Sequence, residues 1–259
     1  MTEWDAAQYS LFAAERLLPN DDLIAAIAAA TAAPRRIVDL GCGAGDCSTA
    51  ALRRRYPEAQ IVALDRSAQL IEEACRTEPA ADVEWHTGEI ETFEPAEPPE
   101  LIFMGSSFQW VPDHERQLPR LMAMLPRGGT LAIQMPNMFQ RPFYTSILDA
   151  AQAGPWRDAL HGKLRQAPVR SIETYRDLLA PLAGDARIWT KTYRLTFANV
   201  DGLVEWAKGA PLRPVGSTLD SVAFSAFCCD YAARLARHYA SEGGTCMLPF
   251  ERLFIVAVR

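Results

Sequence analysis

Short strand-like runs alternate with longer amphipathic stretches through the first half of the chain. Residues 35–40, 60–64, 82–86, 100–104 and 130–135 are each too short for a stable helix and read as strands. Between them, residues 21–33, 46–56, 67–76 and 113–125 carry helical patterning. The first of these helices is Ala-rich and opens on Asp21 and Asp22, which suits the positive end of a helix. Pro34 and Pro57 stop the first two helices, and Ser67 is placed to cap the third. After Pro136 the rhythm breaks. Residues 137–186 mix irregular and helical segments around Pro142, Pro155, Pro168 and Pro181. Residues 187–197 alternate apolar and polar positions like an exposed strand, 200–209 and 219–240 read as helices, and 249–258 form a strongly apolar final strand.

Strand–helix alternation predicts an α/β domain whose sheet is mostly parallel, with helices on both faces. Ligands on such sheets bind beyond the carboxyl ends of the strands. The last two strands are expected to complete the sheet, giving a core of 34–136, 187–198 and 248–259. Residues 1–20, 137–186 and 199–247 are expected to form a helical cap over the binding edge, all within one domain of 259 residues.

Charge adds a gradient to this picture. The net charge of −6 disfavours a nucleic-acid partner. Residues 1–136 carry 11 Lys+Arg against 21 Asp+Glu, whereas residues 137–217 carry 11 against 7. An anionic substrate would be drawn to the basic middle, although a solvated surface could carry the same imbalance. No run reaches the roughly 18 to 20 uninterrupted apolar residues of a membrane span. The acidic start, Met1-Thr2-Glu3-Trp4-Asp5, lacks a signal pattern, so a cytoplasmic protein is expected. Six scattered cysteines form no C-x-x-C, so neither a disulfide framework nor a metal site is expected.

The chemistry concentrates at Val38-Asp39-Leu40-Gly41-Cys42-Gly43-Ala44-Gly45, a glycine loop fed by a strand and left by a helix. Two ligands compete for it. A dinucleotide needs G-x-G-x-x-G with its pyrophosphate on the helix N-terminus. Here the third glycine comes one position early, and Asp46 and Asp39 would repel a pyrophosphate. Both acids suit a phosphate-free ligand with a cationic amine and sulfonium, which is S-adenosylmethionine. Asp65, ending the second strand, can accept from ribose hydroxyls of either ligand. Glu89 can accept from an adenine amino group while the Ile90 N–H donates to the ring. Each acid has a plainer reading: Asp39 as a turn cap, Asp65 as the start signal of the next helix, and Glu89 as one acid among several. Together, three acids at the ends of three successive strands favour binding.

These residues resemble class I methyltransferases, the Rossmann-like family that uses S-adenosylmethionine. Further stretches are similar to the trans-aconitate methyltransferases within that class. They are Trp4-Asp5 through Tyr9, Phe12, Ala14-Glu15-Arg16, Phe108-Gln109-Trp110-Val111-Pro112-Asp113-His114, Gln134-Met135-Pro136, Leu212-Arg213-Pro214 and the stretch from Pro249 to Ala257. The run Asn137-Met138-Phe139-Gln140 departs from the acidic, Trp-containing run of that family. The resemblance implies a Rossmann-like, seven-stranded, mostly parallel sheet with a helical cap. It also implies monomethyl esterification of a small polycarboxylate, S-adenosylhomocysteine as co-product and no metal. It assigns cofactor contacts to Asp39, Gly41, Cys42, Gly43, Asp65, Arg66, Glu89, Ile90 and Ser106.

A carboxylate nucleophile is ionised near pH 7, so the reaction needs no general base. It needs positioning, exclusion of water and a cationic clamp, for which the planar fork of Arg is suited. The substrate-positioning candidates are Tyr9, Arg16, Gln109, Trp110 and Arg213, with help from His114. With 23 Arg and 3 Lys in the chain, a given Arg can equally be a surface side chain. Phe12 and Trp206 either line the pocket or pack the cap. The alternatives are a methyltransferase acting on another small acid or on a malonyl-carrier thioester, a non-catalytic S-adenosylmethionine-binding protein, and an NAD-dependent oxidoreductase.

Overall fold

The computed structural model describes residues 13–28, 33–76, 83–165, 168–241 and 243–259, with side chains from Leu17 onward. In chain order the elements are α1 (Ala13–Ala28), β1 (Arg36–Leu40), α2 (Ser48–Arg55), β2 (Gln60–Asp65), α3 (Ala68–Ala74), β3 (Val83–Thr87) and β4 (Leu101–Gly105). A 3₁₀ turn (Phe108–Trp110), α4 (His114–Met124), β5 (Thr130–Pro136), α5 (Pro142–Ala153), α6 (Arg157–Leu160) and α7 (Ile172–Leu179) follow. The chain ends with β6 (Asp185–Phe197), α8 (Val200–Lys208), α9 (Arg213–Gly216), α10 (Ser221–Tyr239) and β7 (Cys246–Val258).

The strands form one seven-stranded sheet in the order β3-β2-β1-β4-β5-β7-β6. The pairs β1–β2, β2–β3, β1–β4 and β4–β5 are parallel, and β7 runs antiparallel to β5. The central strands are buried on both faces, which is why β1, β4 and β5 read as continuous apolar runs. The edge strand β6 is mostly exposed, as its alternation predicts.

Two compact units emerge. The sheet unit comprises Ala14–Pro136, Arg170–Lys191 and Arg252–Arg259. Its core is built by Ile37, Leu40, Ile61, Leu101, Phe103 and Ile133, all nearly inaccessible. The helical unit contains Asn137–Val169 and Thr192–Glu251. In it α10 packs against α5 and α8 around Phe143, Ile147, Phe227 and Tyr231. The expected cap is thus divided: residues 170–186 group with the sheet, and 14–20 do so as well.

Local chemistry explains most helix starts. Ser67 Oγ accepts from the Leu70 N–H at 3.3 Å, as the sequence implies. Asn199 caps α8, and Asp220 caps α10 through the Val222 and Ala223 N–H groups. Pro142 opens α5 at the position where a missing N–H costs nothing. One expectation is corrected: α1 does not begin at Asp21 but spans Ala13–Ala28, running through Pro19. An interior proline costs a helix about 3 kcal/mol. Burial of Leu23, Ile24 and Ile27 on one face of α1 opposes that cost.

Candidate active site

The order of strands reverses where β1 lies between β2 and β4, the position at which sheets of this type bind ligands. The loops leaving β1, β2 and β4 therefore build the site. Gly41, Gly43 and Gly45 all have positive φ, of 81°, 60° and 78°. Each glycine has its own reason. A Cβ on Gly41 would collide with Ser107, and one on Gly45 would collide with the indole of Trp85. A Cβ on Gly43 would meet nothing within 4 Å. Gly43 is thus the glycine whose bare backbone faces open space, where a ligand can approach. The Gly41 and Cys42 N–H groups donate to the Leu64 carbonyl at 2.7 and 3.0 Å, tying the loop to the end of β2. Burial and the charges of Asp39 and Asp65 push the Cys42 thiol upward, so it stays protonated and non-nucleophilic.

Asp65 ends β2 as expected. Its Oδ2 accepts from the Gly43 N–H at 3.0 Å and its Oδ1 from the Ser67 N–H at 2.9 Å. Each carboxylate oxygen retains acceptor capacity, and Asp65 is only half-buried, which suits ribose hydroxyl donors. Arg66 beside it is exposed. Asp39 is fully buried. Its Oδ2 accepts from Ser48 Oγ at 2.6 Å and Thr49 Oγ1 at 2.7 Å, while Oδ1 has no partner among the described residues. Asp39 thus ties β1 to the first turn of α2, beneath the loop. Burial raises its carboxyl from 3.8 to about 6, the two hydroxyls oppose the shift, and the Asp65 charge adds to it. Asp46 is exposed, two residues before α2 begins.

Glu89 is exposed, and its carbonyl accepts from the Thr92 and Phe93 N–H groups. The Ile90 carbonyl accepts from Arg120 Nη2, and Arg120 Nη1 donates to the Phe93 carbonyl at 2.7 Å. Arg120, from α4, pins the turn that carries both residues.

Beyond β4, Ser106 takes a left-handed backbone with φ 65°. Its N–H donates to the Gln134 carbonyl at 2.9 Å, and its carbonyl accepts from Gln109 Nε2 at 2.6 Å. Ser107 Oγ donates to the Leu40 carbonyl at 2.5 Å. Gln109 is buried, whereas Trp110 is 37% exposed. His114 opens α4 and is buried against Phe108, ring on ring at 4.0 Å. Its Nε2 donates to the Phe108 carbonyl at 2.9 Å, which leaves Nδ1 to accept from the Tyr175 hydroxyl at 2.7 Å. Both ring nitrogens are spent within the fold, so His114 is no clamp residue.

Tyr9 and Phe12 lie outside the described residues, and Arg16 is described only as a backbone position of α1. Arg213 is half-buried at the start of α9, in the helical unit. Trp206 is buried there against Phe197 and Phe250, so it packs its unit. No group of three or more His, Cys, Asp or Glu among the described residues could hold a metal, and none of the six cysteines forms a disulfide. Sequence reasoning gave no role to four polar residues of the site: Ser107, Asn20, Gln134 and Arg252. A signal was present for two of them. Gln134 interrupts the apolar run of β5, and Arg252 interrupts that of β7.

A methyltransferase-domain family model matches residues 37–129. A trans-aconitate 2-methyltransferase of Methylobacterium nodulans is 40% identical, covering 100% of this chain and 99% of its own. Another, from Azoarcus sp., is 38% identical over 100% of both chains. Among solved structures, the YcgJ protein from Bacillus subtilis superposes with TM-score 0.59 at 14% identity, covering 92% of this chain and 97% of its own. The plantazolicin methyltransferase BpumL in complex with SAH gives 0.55 at 14%, covering 96% and 86%. At such identity these two structures speak to the fold alone. The full-length relatives decide the family: this chain belongs to the trans-aconitate 2-methyltransferase family.

Proposed function

We propose that the chain esterifies one carboxylate of trans-aconitate, releasing the monomethyl ester and S-adenosylhomocysteine. The observation that carries this reading is the 38% identity to a trans-aconitate 2-methyltransferase along the full length of both chains. S-adenosylmethionine is the methyl donor of this enzyme and supplies an electrophilic methyl group when bound. The residues present fit it: Gly43 offers bare backbone to open space, and Asp65 offers acceptors at the end of β2.

The protein's own work is positioning. The attacking carboxylate is ionised near pH 7, so no residue must remove a proton. His114 is fully engaged and Asp39 is sealed behind the loop, so neither is placed to act as a base. Gln109, Trp110, Arg213, Tyr9 and Arg16 are the proposed substrate-positioning residues. Arg213 and Arg16 offer guanidinium forks to carboxylates, and Gln109 offers an amide oriented by Ser106. Gly41, Cys42, Gly43, Asp65, Arg66, Glu89, Ile90 and Ser106 remain the proposed cofactor-side set, with Asp39 as the buried support beneath the loop. A cytoplasmic location belongs to the same proposal, supported by six cysteines outside any disulfide; no described helix is long and apolar enough to cross a membrane.

The basic stretch 137–217 favours one other substrate, a malonyl thioester on an acidic carrier. Methyl transfer from labelled S-adenosylmethionine to a panel of di- and tricarboxylates and a malonyl carrier separates the two. Turnover of the carrier without turnover of free trans-aconitate would reverse the order.

A further inference from the structure

A buried polar network joins β7 to the loop beyond β4. Asn20, Gln134 and Arg252 expose no more than 5% of their surface. Arg252 Nε donates to Gln134 Oε1 at 3.0 Å, and its Nη2 donates to both Gln134 Oε1 and Ser106 Oγ. A guanidinium can only donate, so it fixes which end of the Gln134 amide is the oxygen. The Gln134 amide nitrogen must then face the other way. It donates to Asn20 Oδ1 at 2.7 Å and to Ser106 Oγ at 3.1 Å. Ser106 is thus held at its hydroxyl by two side chains and at its N–H by the Gln134 carbonyl.

Ser106 needs that hold. A non-glycine residue at φ 65° is disfavoured on steric grounds and persists only where its surroundings over-determine it. Two consequences hang on its backbone. Its carbonyl receives the Gln109 amide, and the next residue, Ser107, fills the space left by the missing side chain of Gly41.

We propose that Arg252 is a positioning residue for methyl transfer. From the last strand it locks Gln134 and Ser106, and through Ser106 it sets the Gln109 side chain and the seating of Ser107 on the glycine loop. The proposal rests on the reading of Gln109 and the glycine loop as substrate and cofactor groups.

The test uses the full chain carrying Arg252→Met, Ser106→Gly and the pair together. Arg252→Met is expected to lower kcat at least tenfold. Adding Ser106→Gly is expected to restore at least threefold of that loss, because glycine takes positive φ without steric cost. The added glycine also relieves backbone strain in the fold, so kcat is compared well below the Tm of each variant, where a role confined to stability leaves it unchanged. If the Met variant does not fold, Arg252→Lys carries the same comparison, keeping charge but losing the fork. A crystal structure of the folded variant gives a readout independent of turnover: Ser106 should leave φ near 65° and release Gln109. Unchanged kcat, no restoration by glycine, or an unmoved Ser106 each overturns the proposal. If the wild-type chain methylates no acid at all, the functional reading fails instead, and the crystal structure still decides whether Arg252 holds Ser106.

Discussion

Ser107 sits where a side chain on Gly41 would have to stand, and its hydroxyl donates to the Leu40 carbonyl at 2.5 Å. The loops leaving β1 and β4 therefore meet here, with a hydroxyl on one side and a bare Cα on the other. Gly41→Ala should fail twice, by forcing an L-residue to φ 81° and by pushing Ser107 aside. The left-handed backbone alone costs about 1–2 kcal/mol. Thermal unfolding should show a clear drop in Tm, and adenosylhomocysteine should bind at least tenfold more weakly. A variant with the parent's Tm would mean that the two loops separate freely.

Asp65 holds Gly43 and Ser67 through different oxygens while keeping acceptor capacity for a ligand. Asp65→Ala should weaken S-adenosylmethionine binding by tenfold or more, about 1.4 kcal/mol for a lost charge-assisted hydrogen bond. Calorimetry is the direct measurement. Wild-type affinity in the variant would remove Asp65 from the cofactor site.

Two buried groups should give stability opposite dependences on pH. Asp39 has its carboxyl raised to about 6, so between roughly pH 4 and 6 the folded state holds a proton that the unfolded state has lost. Its contribution falls as pH rises through that window, by on the order of 3 kcal/mol in all. Against Asp39→Asn, the wild type should lose ground from pH 4 to 6 and then run parallel; denaturant unfolding at pH 4, 5 and 7 reads the difference. Burial lowers His114, so its unfolded state is the better proton acceptor below about pH 6.5. Its contribution is present above that pH and fades as pH falls. By NMR the His114 ring should remain the Nε2–H tautomer at pH 6.5; an imidazolium at that pH would contradict the bonds to Phe108 and Tyr175.

Arg213 opens α9 at the end of a stretch with more basic than acidic residues. Arg213→Ala should raise the KM for the acid substrate or lower turnover by tenfold or more, as for loss of a bidentate carboxylate partner, with cofactor affinity unchanged. Unaltered kinetics would return Arg213 to the surface.

Local pattern determined a good deal. The continuous apolar runs of β1, β4 and β5 are the direct imprint of strands buried on both faces, and the Ser67 cap and the glycine loop are read from a few adjacent residues. The acids at the strand ends were visible for the same reason: their partners lie within a short stretch or at a position the alternation predicts. What residue type cannot encode is direction. Asp39 and Asp65 are the same residue at the ends of neighbouring strands, yet one faces inward to Ser48 and Thr49 and the other lies half-open beside Gly43. The acidic pair Asp21-Asp22 reads as a helix start, but α1 already runs through Pro19 ahead of it, with Leu23, Ile24 and Ile27 buried in the turns that follow. Ser106 is expected from sequence only as a cofactor contact; its left-handed backbone exists because Gln134 and Arg252, 28 and 146 residues further along the chain, converge on its hydroxyl. The sequence by itself determined the strand–helix alternation, the glycine loop and the family. Only the tertiary structure decided which polar side chains of that frame are sealed inside it, because a buried hydrogen bond depends on where the whole sheet brings its ends together.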